Sequence, residues 1–204
     1  MQVAIVNYGL GNLTSVAGAV HALGFEPVIT AERQQLLRAD RIILPGVGAF
    51  GDGMDQLKAA GLVEVLEEAR KTRPVLGICL GAQMMCKNSE EFGHHEGLGW
   101  IDAEVRLLRP ADPSLAVPHV GWDNLIRQRP SILLDDIPEN ALFYYVHSYA
   151  IHCANASDAF GGCDYGLEFT SAFSREQTYG VQFHPEKSQK HGLAMLKNFI
   201  TKAG

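Results

Sequence analysis

A chain of 204 residues that is 47% hydrophobic and 20% charged has an ordinary globular composition. It is long enough to bury roughly 70% of its unfolded surface without covalent staples. A formal charge of −6 with no basic cluster argues mildly against a general nucleic-acid binder, and there is no run of about 18 apolar residues to span a membrane.

The chain opens MQVAIVNYGLGN, with no positively charged leader and no cleavage-site pattern, so a soluble, cytoplasmic protein is expected. The segment QVAIVN is an apolar, β-branched run and predicts a strand, ended by the turn-forming YGLGN. A helix follows over LTSVAGAVHALG, with Leu13, Val16, Val20 and Leu23 on one face and Gly24 as its stop. Short strands are predicted at EPVIT and RIILPG, an amphipathic helix at LVEVLEEARKTR, and another strand at PVLGIC. Alternating strands and helices with nearly continuous apolar strands imply an α/β fold: an open, mostly parallel sheet covered on both faces.

The second half is richer in strands. WIDAEVRLL, ALFYYVHSYAIHC, LEFTSAFS and TYGVQFH are strand-like with few helices between, which suggests an antiparallel or mixed extension of the sheet. KSQKHGLAMLKNFITKA closes the chain as a helix with Leu193, Leu196, Phe199 and Ile200 on one side. With no repeat, low-complexity tract or long linker, one domain over residues 1–204 is the simplest organisation.

The chemistry concentrates at two places. Gly77-Ile78-Cys79-Leu80-Gly81 has the small-x-nucleophile-x-small form of a sharp strand-to-helix turn, placing Cys79 at the carboxyl end of a strand. The amino end of the following helix favours a thiolate, and the Leu80 amide would face an oxyanion. Alone, Cys79 also reads as a small core residue. The second place is YGVQFHPEKS, where His184 ends a strand, Pro185 stops it and Glu186 follows two positions later. A thiolate attacking an amide needs a base to take and return a proton, and that base needs an acceptor to hold its tautomer. Alone, His184 could cap a strand; together the two motifs point to a cysteine nucleophile with a His–Glu partner. The four cysteines (Cys79, Cys86, Cys153, Cys163) do not form a dense framework and are expected as reduced thiols. His152, Cys153 and Cys163 lack zinc-ligand spacing, so no metal and no cofactor is expected.

With both motifs in view, the chain resembles the class I glutamine amidotransferases, which have a flavodoxin-like fold with a nucleophile elbow and a Cys-His-Glu triad. The resemblance implies Cys79 as nucleophile, His184 as general acid/base and Glu186 as its orienting partner. The stretch LPGVGAF is similar to the family's oxyanion loop and implicates Gly46, Val47 and Gly48 beside Leu80; by itself it is an ordinary turn. NYGLGNLTSV, PHVGWDNL and FYYVHSY further resemble one branch, the glutaminase subunits of imidazole glycerol phosphate synthases. Two positions depart from that pattern: Asn7 and Asp123 stand where the branch usually has Asp and Asn.

By the same resemblance Gln83, Glu91 and the backbone of Ser148 and Tyr149 would hold the glutamine substrate. Gln83 could equally lie on a helix surface, and Glu91 could be a loop charge. The branch also implies a heterodimer with a (β/α)8-barrel cyclase subunit that receives ammonia, with Asn12, Trp122 and Lys187 at the docking face. A binding module that keeps the fold but only docks is the alternative from another class.

Overall fold

The computed structural model describes all 204 residues. Its strands are β1 (Gln2–Val6), β2 (Glu26–Thr30), β3 (Arg41–Leu44), β4 (Val75–Ile78), β5 (Asn88–Ser89), β6 (His95–Glu96), β7 (Ala103–Leu107), β8 (His119–Asn124), β9 (Ile126–Arg127), β10 (Leu142–His147), β11 (Tyr149–Cys153), β12 (Ala159–Asp164), β13 (Glu168–Arg175) and β14 (Thr178–Val181). The helices are α1 (Leu13–Ala22), α2 (Arg33–Arg38), α3 (Phe50–Ala59), α4 (Val63–Ala69), α5 (Leu80–Met84) and α6 (Gln189–Lys202).

Five strands in the order β2-β1-β3-β4-β14 are all parallel, the doubly wound order of flavodoxin-like sheets. From β14 the sheet continues antiparallel through β13, β11 and β7. Side chains alternate across each strand, and this divides the core in two. Val3 and Ile5 of β1 join Ile43, Leu76 and Ile78 beneath α1 and α6, while Ala4 and Val6 join Ile42 and Leu44 beneath α2, α3 and α4. Both faces of the parallel part are therefore covered, as the continuous apolar runs require.

Besides the short strands β5, β6 and β9 and the ribbon strand β8, the elements not legible as such in the sequence were α2, α3 and β12. Glycine hides α3 and β12, because it lowers helix and strand propensity while serving packing. In α3, a side chain at Gly53 would come within 2.8 Å of the Met84 sulfur, so its absence lets α3 lie against α5. In β12, a Cβ at Gly161 would meet the Leu125 side chain at 2.7 Å, and the ladder to β13 is irregular at that point. The strand-like ALFYYVHSYAIHC divides into two strands. The β10 half pairs with β8 in a separate antiparallel ribbon, the β11 half enters the large sheet, and Ser148 alone lies between them.

Candidate active site

Cys79 follows the last residue of β4 and precedes the first of α5, with φ 53° and ψ −112°. That left-handed backbone is strained for a residue with a side chain, by about 1–3 kcal/mol, and it persists because the surroundings allow nothing else. The flanking glycines are obligatory. A Cβ on Gly81 would sit 1.8 Å from the Leu44 carbonyl oxygen, and one on Gly77 would sit 2.6 Å from Ala82 Cα. The strand-to-helix turn predicted for this segment is present, but α5 has only five residues, so its dipole is short.

His184 and Glu186 come from the 3₁₀ turn that follows β14, the parallel neighbour of β4. Pro185 opens that turn, and His184 Nδ1 lies 2.8 Å from Glu186 Oε1, with both side chains buried. This contact fixes the ring and leaves Nε2 toward the site, buried and without a fixed hydrogen-bond partner in the chain. A group that must carry a proton both ways needs such a free nitrogen. Burial alone would lower the His184 pKa, but Cys79 and Glu186 outweigh it and take it up to about 9.

Cys79 and His184 line one cavity of about 430 Å³, together with Val47, Gly48, Leu80 and Gln83. Gly46 lies behind this wall, where a Cβ would strike Leu80 Cβ and the Gly81 nitrogen, both at 2.8 Å. The loop is tied at both ends. At one end, Tyr8 donates its hydroxyl hydrogen to the Pro45 carbonyl (2.8 Å); at the other, the Phe50 amide donates to Glu91 Oε2 (2.7 Å). Between these ties, the amides of Val47 and Gly48 donate to no backbone carbonyl. Glu91 is thus the cap of α3, whose own N-cap residue, Ala49, supplies none. Burial raises the Glu91 carboxyl above its usual range, while the Phe50 amide and His95 oppose the shift.

Glu91, Ser148 and Tyr149 line the same cavity. Gln83 is buried there rather than on a helix surface, and its Nε2 donates to the Tyr149 carbonyl (2.8 Å) and to Gln182 Oε1 (3.1 Å). Of the three docking candidates, Lys187 is at the cavity wall with its ammonium 5.8 Å from the Tyr144 ring centre. Trp122 meets the other edge of this cluster, 5.9 Å from Tyr144, and is 44% exposed. Asn12 belongs to neither group; it caps α1 through Ser15 N at 3.3 Å.

Three polar residues of this region escaped the sequence reading. Gln182 is fully buried and places Nε2 3.8 Å from the Cys79 sulfur. His147 lines the cavity with Nδ1 2.9 Å from the Tyr149 carbonyl, and burial pushes its pKa down to about 3. Its Nε2 is 3.2 Å from Nδ1 of His119, whose ring is stacked between Tyr145 and Tyr165. The signals were present in VQFH, PHVGW and FYYVHSY, but polar residues in apolar strands do not announce which face they occupy. The two departures now have neighbours. Asn7 Oδ1 accepts from the Gly9 amide at 3.3 Å, a bond an aspartate would make as well. Asp123 Oδ2 lies 3.6 Å from His119 Nε2, so it faces the interior as well as solvent.

A cysteine on a strained elbow of a doubly wound sheet, with a His–Glu pair on the turn after the adjoining strand, is the arrangement expected of a glutamine amidotransferase. The family model described as glutamine amidotransferase class-I matches residues 4–203, and the chain belongs to that family. Within it, the chain belongs with the HisH subunits of imidazole glycerol phosphate synthase. It is 43% identical to HisH 2 of Nitrobacter winogradskyi over 98% of this chain and 97% of that protein. It is also 43% identical to HisH of Sulfurimonas denitrificans over 97% of both. The structure of PurLQS from Thermotoga maritima shares the fold at a TM-score of 0.74 and 17% identity, covering 98% of this chain and 97% of that one.

Proposed function

We propose that the chain is the glutaminase subunit of an imidazole glycerol phosphate synthase and hydrolyses glutamine to glutamate and ammonia at Cys79. The Cys79 sulfur first gives its proton to His184 Nε2, whose pKa of about 9 lets the ring hold it, and then attacks the side-chain amide carbon of glutamine. The tetrahedral oxyanion accepts hydrogen bonds from the Leu80 amide and from the Gly46-Val47-Gly48 loop, whose free amides support this role. The C–N bond then breaks as His184 returns its proton to the leaving nitrogen, giving ammonia and a thioester. His184 next takes a proton from water, the hydroxide adds to the thioester, and the C–S bond breaks to release glutamate, after which His184 and the freed sulfur share that proton as at the start. Glu186 holds the imidazole tautomer throughout.

The substrate's α-ammonium suits Glu91 and the carbonyl oxygen of Gln83, the one atom of that amide with no partner in the chain. Ser148 and Tyr149 line the same cavity, and their backbone assists in holding the ligand in this reading. Ammonia passes to a cyclase subunit, a (β/α)8 barrel, which makes imidazole glycerol phosphate and aminoimidazole carboxamide ribotide in histidine biosynthesis. That subunit docks over Trp122 and Lys187, with Asn12 at its margin, and the complex works in the cytoplasm. The 204 residues act as one glutaminase domain.

The observation that carries this reading is the strained elbow of Cys79 opening into the cavity that His184 also lines. Glutamine hydrolysis measured with and without the cyclase tests it. Hydrolysis by the complex, little by the free chain, and none above background for Cys79→Ala are expected; a Cys79→Ala chain that still fed ammonia to the cyclase would leave a docking module instead.

A further inference from the structure

We infer that Gln182 is a further catalytic residue, its side-chain N–H aimed at the Cys79 sulfur by a chain of amides hung from the Tyr149 carbonyl. This rests on Cys79 being the nucleophile.

The orientation of a buried glutamine amide is usually ambiguous, because its oxygen and nitrogen are nearly the same size. Here it is fixed from outside. The Tyr149 carbonyl can only accept, so the Gln83 end that lies 2.8 Å from it must be the nitrogen. The same nitrogen lies 3.1 Å from the Gln182 side chain, and a nitrogen there would set donor against donor, so the Gln182 atom must be oxygen. The remaining end of the Gln182 amide, 3.8 Å from sulfur, is then a donor by necessity. His147 closes the anchor: its Nδ1 takes the other side of the Tyr149 carbonyl at 2.9 Å, and being neutral it donates there.

Gln182 is 0% exposed, so no water competes for its N–H. A donor held against sulfur in a dry site favours the negatively charged sulfur over the neutral one. That difference matters twice in the reaction. The sulfur is anionic as it attacks the amide carbon, and anionic again as the C–S bond of the thioester breaks and the pair returns to it. In the thioester between, the sulfur carries no charge and the contact is weak. Gln182 transfers no proton; it holds the sulfur's charge at both ends of the cycle while His184 moves the proton. Gln83 and His147 act through it and are positioning residues in this respect.

The test reads Cys79 directly. Gln182→Met keeps the volume and removes the donor; Gln182→Asn keeps an amide but withdraws it by one methylene, and it serves if the methionine variant does not fold. Alkylation of the full chain by iodoacetamide is followed against pH, with Cys79 modification mapped by mass spectrometry, beside glutamine turnover in the cyclase complex. Each folded variant is expected to alkylate at Cys79 more slowly, by up to about tenfold on the rising limb of a pH profile moved about one unit upward. kcat is expected to fall with KM for glutamine little changed. A folded variant that alkylates within twofold of the parent, on the same pH profile, overturns the assignment. Failure of the nucleophile assignment is separate: it would appear as glutamine hydrolysis surviving Cys79→Ala, whatever Gln182 does.

Discussion

Cys79 and His184 are held by different kinds of force. The sulfur is placed by backbone geometry, a positive φ between two glycines that touch neighbouring backbone, whereas the imidazole is placed by a hydrogen bond to Glu186. The raised His184 pKa depends on the second partner as well. Replacing Cys79 by alanine removes a group that raises it, so the His184 titration observed by NMR is expected to move down from about 9 in Cys79→Ala. An unmoved titration would mean that Glu186 alone sets the value. The three side chains of this site were legible in the sequence because each sits in a motif with a mechanical reason: small residues around a turn, and a proline after a strand. Gln182 was not, because VQF is an ordinary strand sequence until the neighbouring strand places a sulfur beside it.

At the level of elements, two residues named for one task carry another. Asn12 caps α1, so Asn12→Ala is expected to remove about 1 kcal/mol and lower the melting temperature of the free chain by about 2–4 °C. A thermal melt without the cyclase reads this separately from any loss of docking. Glu91 caps α3 from forty-one residues away, at the end of the loop that bears Val47 and Gly48. In Glu91→Gln the side chain can still accept from Phe50 but has lost its charge. The expected result is a KM for glutamine raised about tenfold or more with only a small change in stability. A rise in KM matched by a melting loss of many degrees would assign Glu91 to the helix alone. Helix α3 itself went unread because its glycines obey packing against α5 and not propensity. The β10–β11 junction went unread because periodicity runs unbroken through Ser148 while the pairing partner changes.

For the whole molecule, the histidines set opposing slopes of stability against pH. The His184 pKa is higher in the folded chain than in the unfolded one. Its contribution is therefore complete below about pH 6.5 and lost as pH rises through about 9. His147, His119 and His152 are lowered by burial, so their contributions are present above about pH 6.5 and lost as pH falls. Stability is expected to peak near neutrality and decline on both sides, with the acid limb shallower in His147→Phe; melting temperatures from about pH 5 to 9.5 would read both limbs. A monotonic rise across that range would show that His184 is not held by its partners as described. Strands β1 to β4 and helices α1, α4 and α6 followed from apolar periodicity. The mixed strands of the outer half were also legible, but its ribbon, bulge and pairing partners were not, since contacts between segments far apart in the chain set them.

The passage of the chain through Ser148 has a mechanical consequence. The ribbon that presents Trp122 and the wall that presents the Tyr149 carbonyl are separated by one residue, with no slack loop to absorb a displacement. A protein that leans on the ribbon therefore strains the wall at once. Stiffness at this joint would let a distant grip be felt beside the sulfur without any large rearrangement.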